Sequence, residues 1–234
     1  MNWNDFLRRD KKFLNLGGGP NKHGFPHYEH YVSVNPPGKR QNKVINLETG
    51  ELVLNCEPNR IRRILHPLKE LKAKFQCQWS ESDSSILHDI ETPFPIPDGT
   101  VDRVHSEDCF EHIEETSYPK IFREVYRVLK KGGLFRLAVP DYLNPKDRFC
   151  LQEGYDTRNK LHITLTTYKV IRPYCFHDMW EKVEFLHYWE DEQTFVKKSV
   201  DYERGYVSRT PDNDPLNTGA NPYHVTSLVV DMVK

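Results

Sequence analysis

The chain has 234 residues, of which 29% are charged, and its formal net charge at pH 7 is −1. This length suits one large α/β domain with a buried core, and the balanced charge excludes a strong overall attraction to nucleic acid or to an anionic membrane. The segment from Met1 to Lys12 is polar and charged, with no apolar core region, and no apolar run approaches the roughly 20 residues of a membrane helix. We therefore expect a cytoplasmic protein with neither a nucleic-acid nor a membrane partner.

Short apolar runs alternate with helical patterns, which is typical of a mainly parallel sheet with helices on both faces. The predicted strands, in chain order, are Phe13 to Leu16, Tyr31 to Val34, Ser85 to His88, Val101 to His105 and Leu134 to Val139. Between the last two strands, apolar residues at helical spacing predict a helix from Pro119 to Lys130. Gly132 and Gly133 are expected to end this helix.

Two segments interrupt this alternation. Residues 36–80 contain an apparent hairpin and a helical pattern, and we interpret them as an insertion between the second and third strands. Residues 191–222 are rich in Asp, Asn, Pro and Gly, which predicts a long loop. Val183 to Trp189 and His224 to Val233 flank this loop and are predicted to form an antiparallel closing pair.

The first predicted strand leads into the run Asn15-Leu16-Gly17-Gly18-Gly19. Glycine has no Cβ, so the backbone can turn tightly there and approach a nucleotide-like cofactor at the carboxyl end of the strand. Three glycines in a row also occur in ordinary turns. A phosphate-binding loop is disfavoured because no Gly-Lys-Ser/Thr follows, and a NAD-dependent oxidoreductase is disfavoured because the second strand is not followed by the expected acid.

Further motifs follow in a fixed order. They are Leu87-His88-Asp89-Ile90, Pro93 to Asp102, Phe110-Glu111-His112-Ile113, Phe122 to Gly133, and Leu137 to Asp141. This succession closely resembles the class I S-adenosylmethionine-dependent methyltransferases often called type 11, which read as PFPDxSxDxV, an EHI-like segment, REhxRVLKPGG and a VPD-like strand end. The resemblance implies a single Rossmann-like α/β domain with a mainly parallel seven-stranded central sheet, helices on both faces and an antiparallel last strand.

The resemblance also implies S-adenosyl-L-methionine as the cofactor. The implied cofactor-binding residues are Asn15, Gly17, Gly18, Gly19, Asn35, His88, Asp89, Ile90, Ser106 and Glu107. The glycine motif would pass under the methionine part and the ribose, Asp89 would contact the adenine amino group, and the last two residues would form the wall beside the methionine part. Asn15 and Asn35 stand where the family usually has acids, which predicts weaker or altered cofactor binding.

Methyl transfer to a hydroxyl requires a base that removes the acceptor's proton. We favour His162 as this base, with Asp141 as its orienter or as an acceptor-binding group, and His112 is a second candidate. A structural hydrogen-bonding role is the alternative for each histidine. No metal site is expected, because Asp141, Asp147 and His162 lack the spacing of metal ligands.

Three short pieces, Leu-Gly-Gly-Gly, His-Asp-Ile and His-Ile-Thr, resemble methyltransferases associated with glycan and polysaccharide assembly. The resemblance implies a sugar or glycan hydroxyl as the acceptor, with residues 142–222 forming the loops and helices on the acceptor side. Methylation of another small metabolite or of RNA remains an alternative. A methyltransferase-like binding module without catalysis is favoured by Asn15 and Asn35 and opposed by Gly17, Gly19 and Asp89.

Overall fold

The computed structural model of the chain describes residues 1–17, 31–35, 85–145, 162–175, 178–213 and 227–234. Its helices are α1 (Trp3–Leu7), α2 (Tyr118–Val128) and α3 (Tyr168–Ile171). Its strands are β1 (Phe13–Leu16), β2 (Tyr31–Asn35), β3 (Ser85–Leu87), β4 (Val101–Glu107), β5 (Leu129–Pro140), β6 (Lys182–Trp189), β7 (Phe195–Lys197) and β8 (Ser227–Val233). The predicted insertion at residues 36–80, and Gly18 and Gly19 of the glycine motif, lie outside these ranges.

The described strands form one eight-stranded sheet in the order β3-β2-β1-β4-β5-β8-β6-β7. Strands β1 to β5 pair in parallel, whereas β8 lies antiparallel between β5 and β6. This arrangement confirms the predicted Rossmann-like α/β fold with an antiparallel last strand. The predicted number of seven strands is corrected to eight within the described ranges, because β7 adds to the edge of β6 inside the segment predicted to be a loop.

The predicted helix and fifth strand are both present, but their boundary lies earlier than expected. Helix α2 ends at Val128 rather than Lys130, and β5 begins at Leu129 rather than Leu134. Leu129 is fully buried and pairs with Val101 of β4, so its burial in the sheet outweighs the helical pattern. Gly132, with φ of +76°, therefore turns the chain within the strand instead of ending the helix.

Helix α2 packs on one face of the sheet, and its buried side chains join the main hydrophobic core. They are Tyr118, Ile121, Phe122, Val125 and Val128. Each such side chain contributes about 1.5–3 kcal/mol when it is removed from water. The amphipathic pattern of the sequence thus places this helix against the strands that carry the site.

The opposite face of the sheet carries a row of polar side chains in register across six strands. The row consists of Ser33, Asn15, His105, Arg136, Asp231 and Glu184. The first five of these residues are 7% exposed or less. Buried polar groups need hydrogen-bond partners, and the segment around residues 201–205 supplies backbone carbonyls to this face.

Within the described residues, the structure contains no helix that is both long and apolar enough to cross a membrane.

Candidate functional site

The turn after β1 requires glycine at its first position. Gly17 has φ of +68°, and its amide donates a hydrogen bond of 2.9 Å to the carbonyl of Val34. A Cβ added to Gly17 would lie 2.3 Å from Sγ of Cys109. Both the backbone angle and the close contact with Cys109 therefore require glycine at this position, at the edge of the sheet where the cofactor is predicted to bind.

Asn15 lies next to this turn, between Ser33 and His105 of the neighbouring strands. Its side chain is buried, and among the described residues Oδ1 has no hydrogen-bond partner. A buried amide oxygen without a donor costs about 1–3 kcal/mol. Asn15 is therefore suited to accept a hydrogen bond from a ligand at the carboxyl end of β1. Asn35 ends β2 at the same edge, and its side chain lies outside the described residues.

The end of β4 is tied to its neighbours by two polar side chains. The hydroxyl of Ser106 is buried and donates to the carbonyl of Leu16 at 3.3 Å, which joins β4 to β1 beside the glycine turn. Oε1 of Glu107 accepts from the amide and the hydroxyl of Ser208, at 2.7 and 2.6 Å. Glu107 thereby brings the segment that follows β7 to the predicted cofactor edge.

A tight turn follows β3 and presents Asp89 at the surface. Oδ1 of Asp89 accepts from the amide of Glu91 at 3.0 Å, and the carbonyl of Asp89 accepts from the amide and hydroxyl of Thr92. Ile90 is buried beneath the turn, and the His88 ring packs edge-on against a tryptophan of α1. The turn therefore holds an exposed carboxylate above a buried apolar side chain, and the contact of Asp89 and Ile90 with adenine remains a prediction.

A second polar group gathers around His162. A short 3₁₀ helix, Phe110–His112, follows β4. The chain after His162 runs alongside this helix. The amides of Ile163 and Thr164 both donate to the carbonyl of Glu111, at 2.8 and 3.1 Å. These backbone hydrogen bonds hold side by side two segments that are far apart in the sequence.

The side chains of this group meet at short distances. The rings of His112 and His162 lie edge to face with centroids 4.7 Å apart, and the Tyr142 hydroxyl is hydrogen-bonded to Nδ1 of His162. Nε2 of His112 lies 3.7 Å from Oε1 of Glu111, whose side chain is 1% exposed. The structure thus brings two predicted catalytic residues together with Glu111 and Tyr142. The sequence-based selection had missed these two, although Glu111 is part of the EHI-like motif and Tyr142 follows Asp141.

Asp141 is fully buried at the end of β5. Its Oδ2 accepts from the amide of Trp189 at 2.7 Å, and its Oδ1 accepts from the amide of Leu143 at 3.1 Å. Hydrogen bonds from backbone amides to a carboxylate are among the stronger ones. Asp141 therefore fixes the end of β6 and the turn that presents Tyr142. Its predicted role, as the orienter of His162 or as an acceptor-binding group, remains a prediction.

Comparison with known protein families gives a match over part of this chain. Residues 62–137 match the family model described as a methyltransferase domain. No curated protein gives a significant match to the chain. The family match supports an S-adenosylmethionine-dependent methyltransferase, in agreement with the enzyme class and the cofactor that the sequence predicts.

Three solved structures that match this chain have low sequence identity and TM-scores below 0.5. A SAM-dependent methyltransferase from Archaeoglobus fulgidus is 13% identical, with a TM-score of 0.49 over 99% of this chain and 90% of that one. YcgJ from Bacillus subtilis is 14% identical, with a TM-score of 0.45 over 95% and 91% of the two chains. A phosphoethanolamine N-methyltransferase from Haemonchus contortus is 16% identical, with a TM-score of 0.43 over 79% and 39%.

Proposed function

We propose that this protein is an S-adenosylmethionine-dependent O-methyltransferase that acts on a hydroxyl of a sugar or glycan. The observation that carries the proposal is the cluster of His112, His162 and Tyr142 at the carboxyl edge of the sheet. Strands β4 and β5 pair up to Glu107, so the segments that follow them are neighbours. The candidate base and the predicted cofactor wall therefore share one edge.

The residues present at this edge fit the cofactor. The amide oxygen of Asn15, which has no hydrogen-bond partner within the described ranges, and the turn at Gly17 would receive the methionine part and the ribose. The exposed carboxylate of Asp89 would accept from the adenine amino group, with Ile90 packed on the ring. Bound in this way, the cofactor supplies an electrophilic methyl group on a positively charged sulfur.

The protein's own part in the reaction is to take the acceptor's proton. In the tautomer of His162 that donates its Nδ1 hydrogen to the Tyr142 oxygen, Nε2 is the basic nitrogen. Nε2 of His162 then takes the proton of the acceptor's hydroxyl group, and the acceptor oxygen becomes the nucleophile. The carboxylate of Glu111 lies beside the adjacent His112 ring and stabilises positive charge on the two imidazoles. Tyr142 is a positioning residue in this scheme, because it fixes the tautomer and the direction of the base.

The choice of a carbohydrate acceptor rests on the sequence resemblance of the segment that begins at His162. Apolar side chains also border the cluster, since Ile163 and Leu165 are 44% and 41% exposed. Sugar rings present C–H faces to such side chains and hydroxyls to the polar groups beside them. Thr164, between these two side chains, is buried and donates its hydroxyl to the carbonyl of Ile113, so the polar groups beside the apolar pair are those of the histidine cluster.

A second candidate is a methyltransferase-like module that binds the cofactor without transferring its methyl group. Asn15 favours this reading, because an uncharged amide stands where the type 11 family usually places an acid. An amide retains hydrogen bonding but loses the attraction between a carboxylate and a positively charged ligand.

The first experiment is a calorimetric titration of the purified protein with S-adenosylmethionine and with its demethylated product, using NAD as the control nucleotide. Saturable binding of the first two, with none of NAD, is expected. Absence of binding would contradict the proposal. The cofactor with a labelled methyl group is then offered with a panel of sugars and oligosaccharides, and binding without transfer to any acceptor would favour the second candidate.

A further inference from the structure

Glu111, His112 and His162 each place one possible ligand atom in the same small cluster. These three atoms, a carboxylate oxygen and two imidazole nitrogens, all lie within 4.8 Å of one another. We infer that this cluster binds a divalent transition-metal ion of the zinc type. The sequence predicted no metal site, because Asp141, Asp147 and His162 lack the spacing of metal ligands. The cluster instead joins His162 to Glu111 and His112, which are distant from it in the sequence.

The chemistry of the three groups suits such an ion. Imidazole and carboxylate are the common ligands of zinc, and two histidines with one glutamate form a set that leaves a fourth position open. Ligand atoms at about 2.0–2.2 Å from zinc lie roughly 3–4 Å from each other in a tetrahedral site. Nε2 of His112 and Oε1 of Glu111, at 3.7 Å, already have this separation. A side-chain adjustment of about 1 Å would bring the widest pair into the same range.

The backbone around the cluster is fixed before any ion binds. The hydroxyl of Tyr118 donates to the carbonyl of Phe110 at 2.7 Å, which anchors the 3₁₀ turn to helix α2. The hydroxyl of Thr164 donates to the carbonyl of Ile113 at 2.7 Å and anchors the segment that follows His162 to the same turn. Ligands on such a frame lose little conformational freedom when they bind a metal.

The burial of Glu111 and the hydrogen bond between Tyr142 and His162 also support a metal site. The side chain of Glu111 is 1% exposed, and a carboxylate that is removed from water is stabilised by a nearby cation. Tyr142 holds the ring of His162 through Nδ1, as a hydrogen-bonded neighbour commonly orients a metal-ligating histidine. One buried negative charge and two neutral rings would give a bound divalent ion a net local charge of +1.

The binding site itself does not depend on methyl transfer. Its consequence for catalysis rests on the proposed function, because a bound ion would use imidazole lone pairs that the proposed base needs. We therefore expect zinc to inhibit methyl transfer rather than to support it, and removal of the ion by a chelator to restore the rate.

The test uses the full chain, stripped of metal with a chelator and dialysed. Co²⁺ is titrated into the protein, and the visible absorption typical of four- or five-coordinate Co²⁺ is recorded, followed by displacement with Zn²⁺. One ion per chain is expected. His112→Gln and His162→Gln should each weaken Co²⁺ binding at least tenfold, because each removes one of three ligands. Glu114→Gln is the matched control and should bind as the unaltered chain does, since Glu114 is exposed and lies outside the cluster.

Two results would overturn the inference. One is the absence of saturable Co²⁺ binding, and the other is equal affinity in the unaltered chain and in the His112→Gln/His162→Gln double variant. Circular dichroism and thermal unfolding verify that each variant is folded. The third ligand is tested with Glu111→Gln, which should also weaken Co²⁺ binding. If this buried change prevents folding, His112→Gln decides the question, because the His112 side chain is 21% exposed. Cofactor titration of the same samples separates failure of the metal site from failure of the proposed function.

Discussion

Arg136 of β5 and Asp231 of β8 face each other across the antiparallel strand pair and are joined by two hydrogen bonds of 2.7 Å each. Their side chains are 1% and 7% exposed. Nη1 of Arg136 also donates to the carbonyls of Asp201 and Gly205. The guanidinium thus joins the last strand to the segment that covers the polar face of the sheet, and each charge depends on the other to remain buried.

Asp231→Asn is expected to lower the free energy of unfolding by about 3–5 kcal/mol, because it leaves a buried guanidinium without its counter-charge. Guanidinium chloride denaturation measures this loss. The control is Glu184→Gln, which breaks a half-exposed pair with Lys182 and should cost about 0–1 kcal/mol. Replacing both partners, as Arg136→Met/Asp231→Leu, should cost less than the single change. Similar small losses in Asp231→Asn and Glu184→Gln would contradict this account.

Gly17→Ala is expected to reduce both stability and cofactor affinity. Gly17 and Gly99 have nearly the same backbone angle, with φ of +68° and +62°. An added Cβ meets Cys109 at Gly17, whereas nothing lies within 4 Å of one at Gly99. Gly99→Ala therefore reports the cost of the backbone angle alone, about 1 kcal/mol, and the clash should add about 1–3 kcal/mol in Gly17→Ala. Equal losses of unfolding free energy in the two variants would contradict the predicted clash between Cys109 and a side chain at position 17.

The local pattern of the sequence predicted the parallel half of the sheet well. Strand β1 has the predicted bounds, Phe13–Leu16, because a short apolar run between polar segments has few other ways to be buried. Helix α2 was found for the same reason, since its apolar spacing matches one helical face. Its end was misplaced by two residues because Leu129 gains more from pairing with β4 than from another helical turn.

The elements that were missed depend on contacts between distant parts of the chain. Strand β7 has three residues and exists through its pairing with β6, where Lys197 lies opposite His187. The approach of His162 to the turn that contains Glu111 is likewise set by backbone hydrogen bonds from residues 163 and 164. No local spacing encodes such an approach, so the histidines could be proposed singly but not as a cluster.

Asp89→Ala is expected to weaken the binding of S-adenosylmethionine about tenfold or more, which corresponds to the loss of one hydrogen bond to a charged group. Isothermal titration calorimetry of the folded variant measures the effect. Asp178→Ala removes another exposed carboxylate, one that does not belong to the predicted cofactor site, and should leave the dissociation constant unchanged. Unchanged affinity in Asp89→Ala would remove the adenine assignment.

His162→Gln is expected to lower kcat for methyl transfer by about 10²-fold or more, the usual contribution of a general base. The dissociation constant of the cofactor should stay nearly the same. Tyr142→Phe keeps the ring but removes the hydroxyl that orients His162, so we expect a smaller fall in kcat and an altered pH–rate profile. A full rate in His162→Gln would exclude this histidine as the base. A normal pH profile in Tyr142→Phe would exclude the positioning role of Tyr142.

His187 should make the stability of the protein sensitive to mild acid. Burial lowers the pKa of His187 to about 4 from its ordinary value of 6.5, and Nε2 lies 3.1 Å from the carbonyl oxygen of Lys198. Between these two pKa values the unfolded chain binds a proton that the native chain does not bind. The contribution of His187 to the free energy of unfolding should therefore be complete above about pH 6.5. It should decrease by up to roughly 3 kcal/mol as the pH drops toward 4.

Urea denaturation at a series of pH values between neutral and mildly acidic conditions tests this dependence. His187→Gln retains a hydrogen-bond donor toward Lys198 but does not titrate, so the plot of its unfolding free energy against pH should be flatter than that of the unaltered chain. Parallel curves for His187→Gln and the unaltered chain would show that another group causes the acid sensitivity.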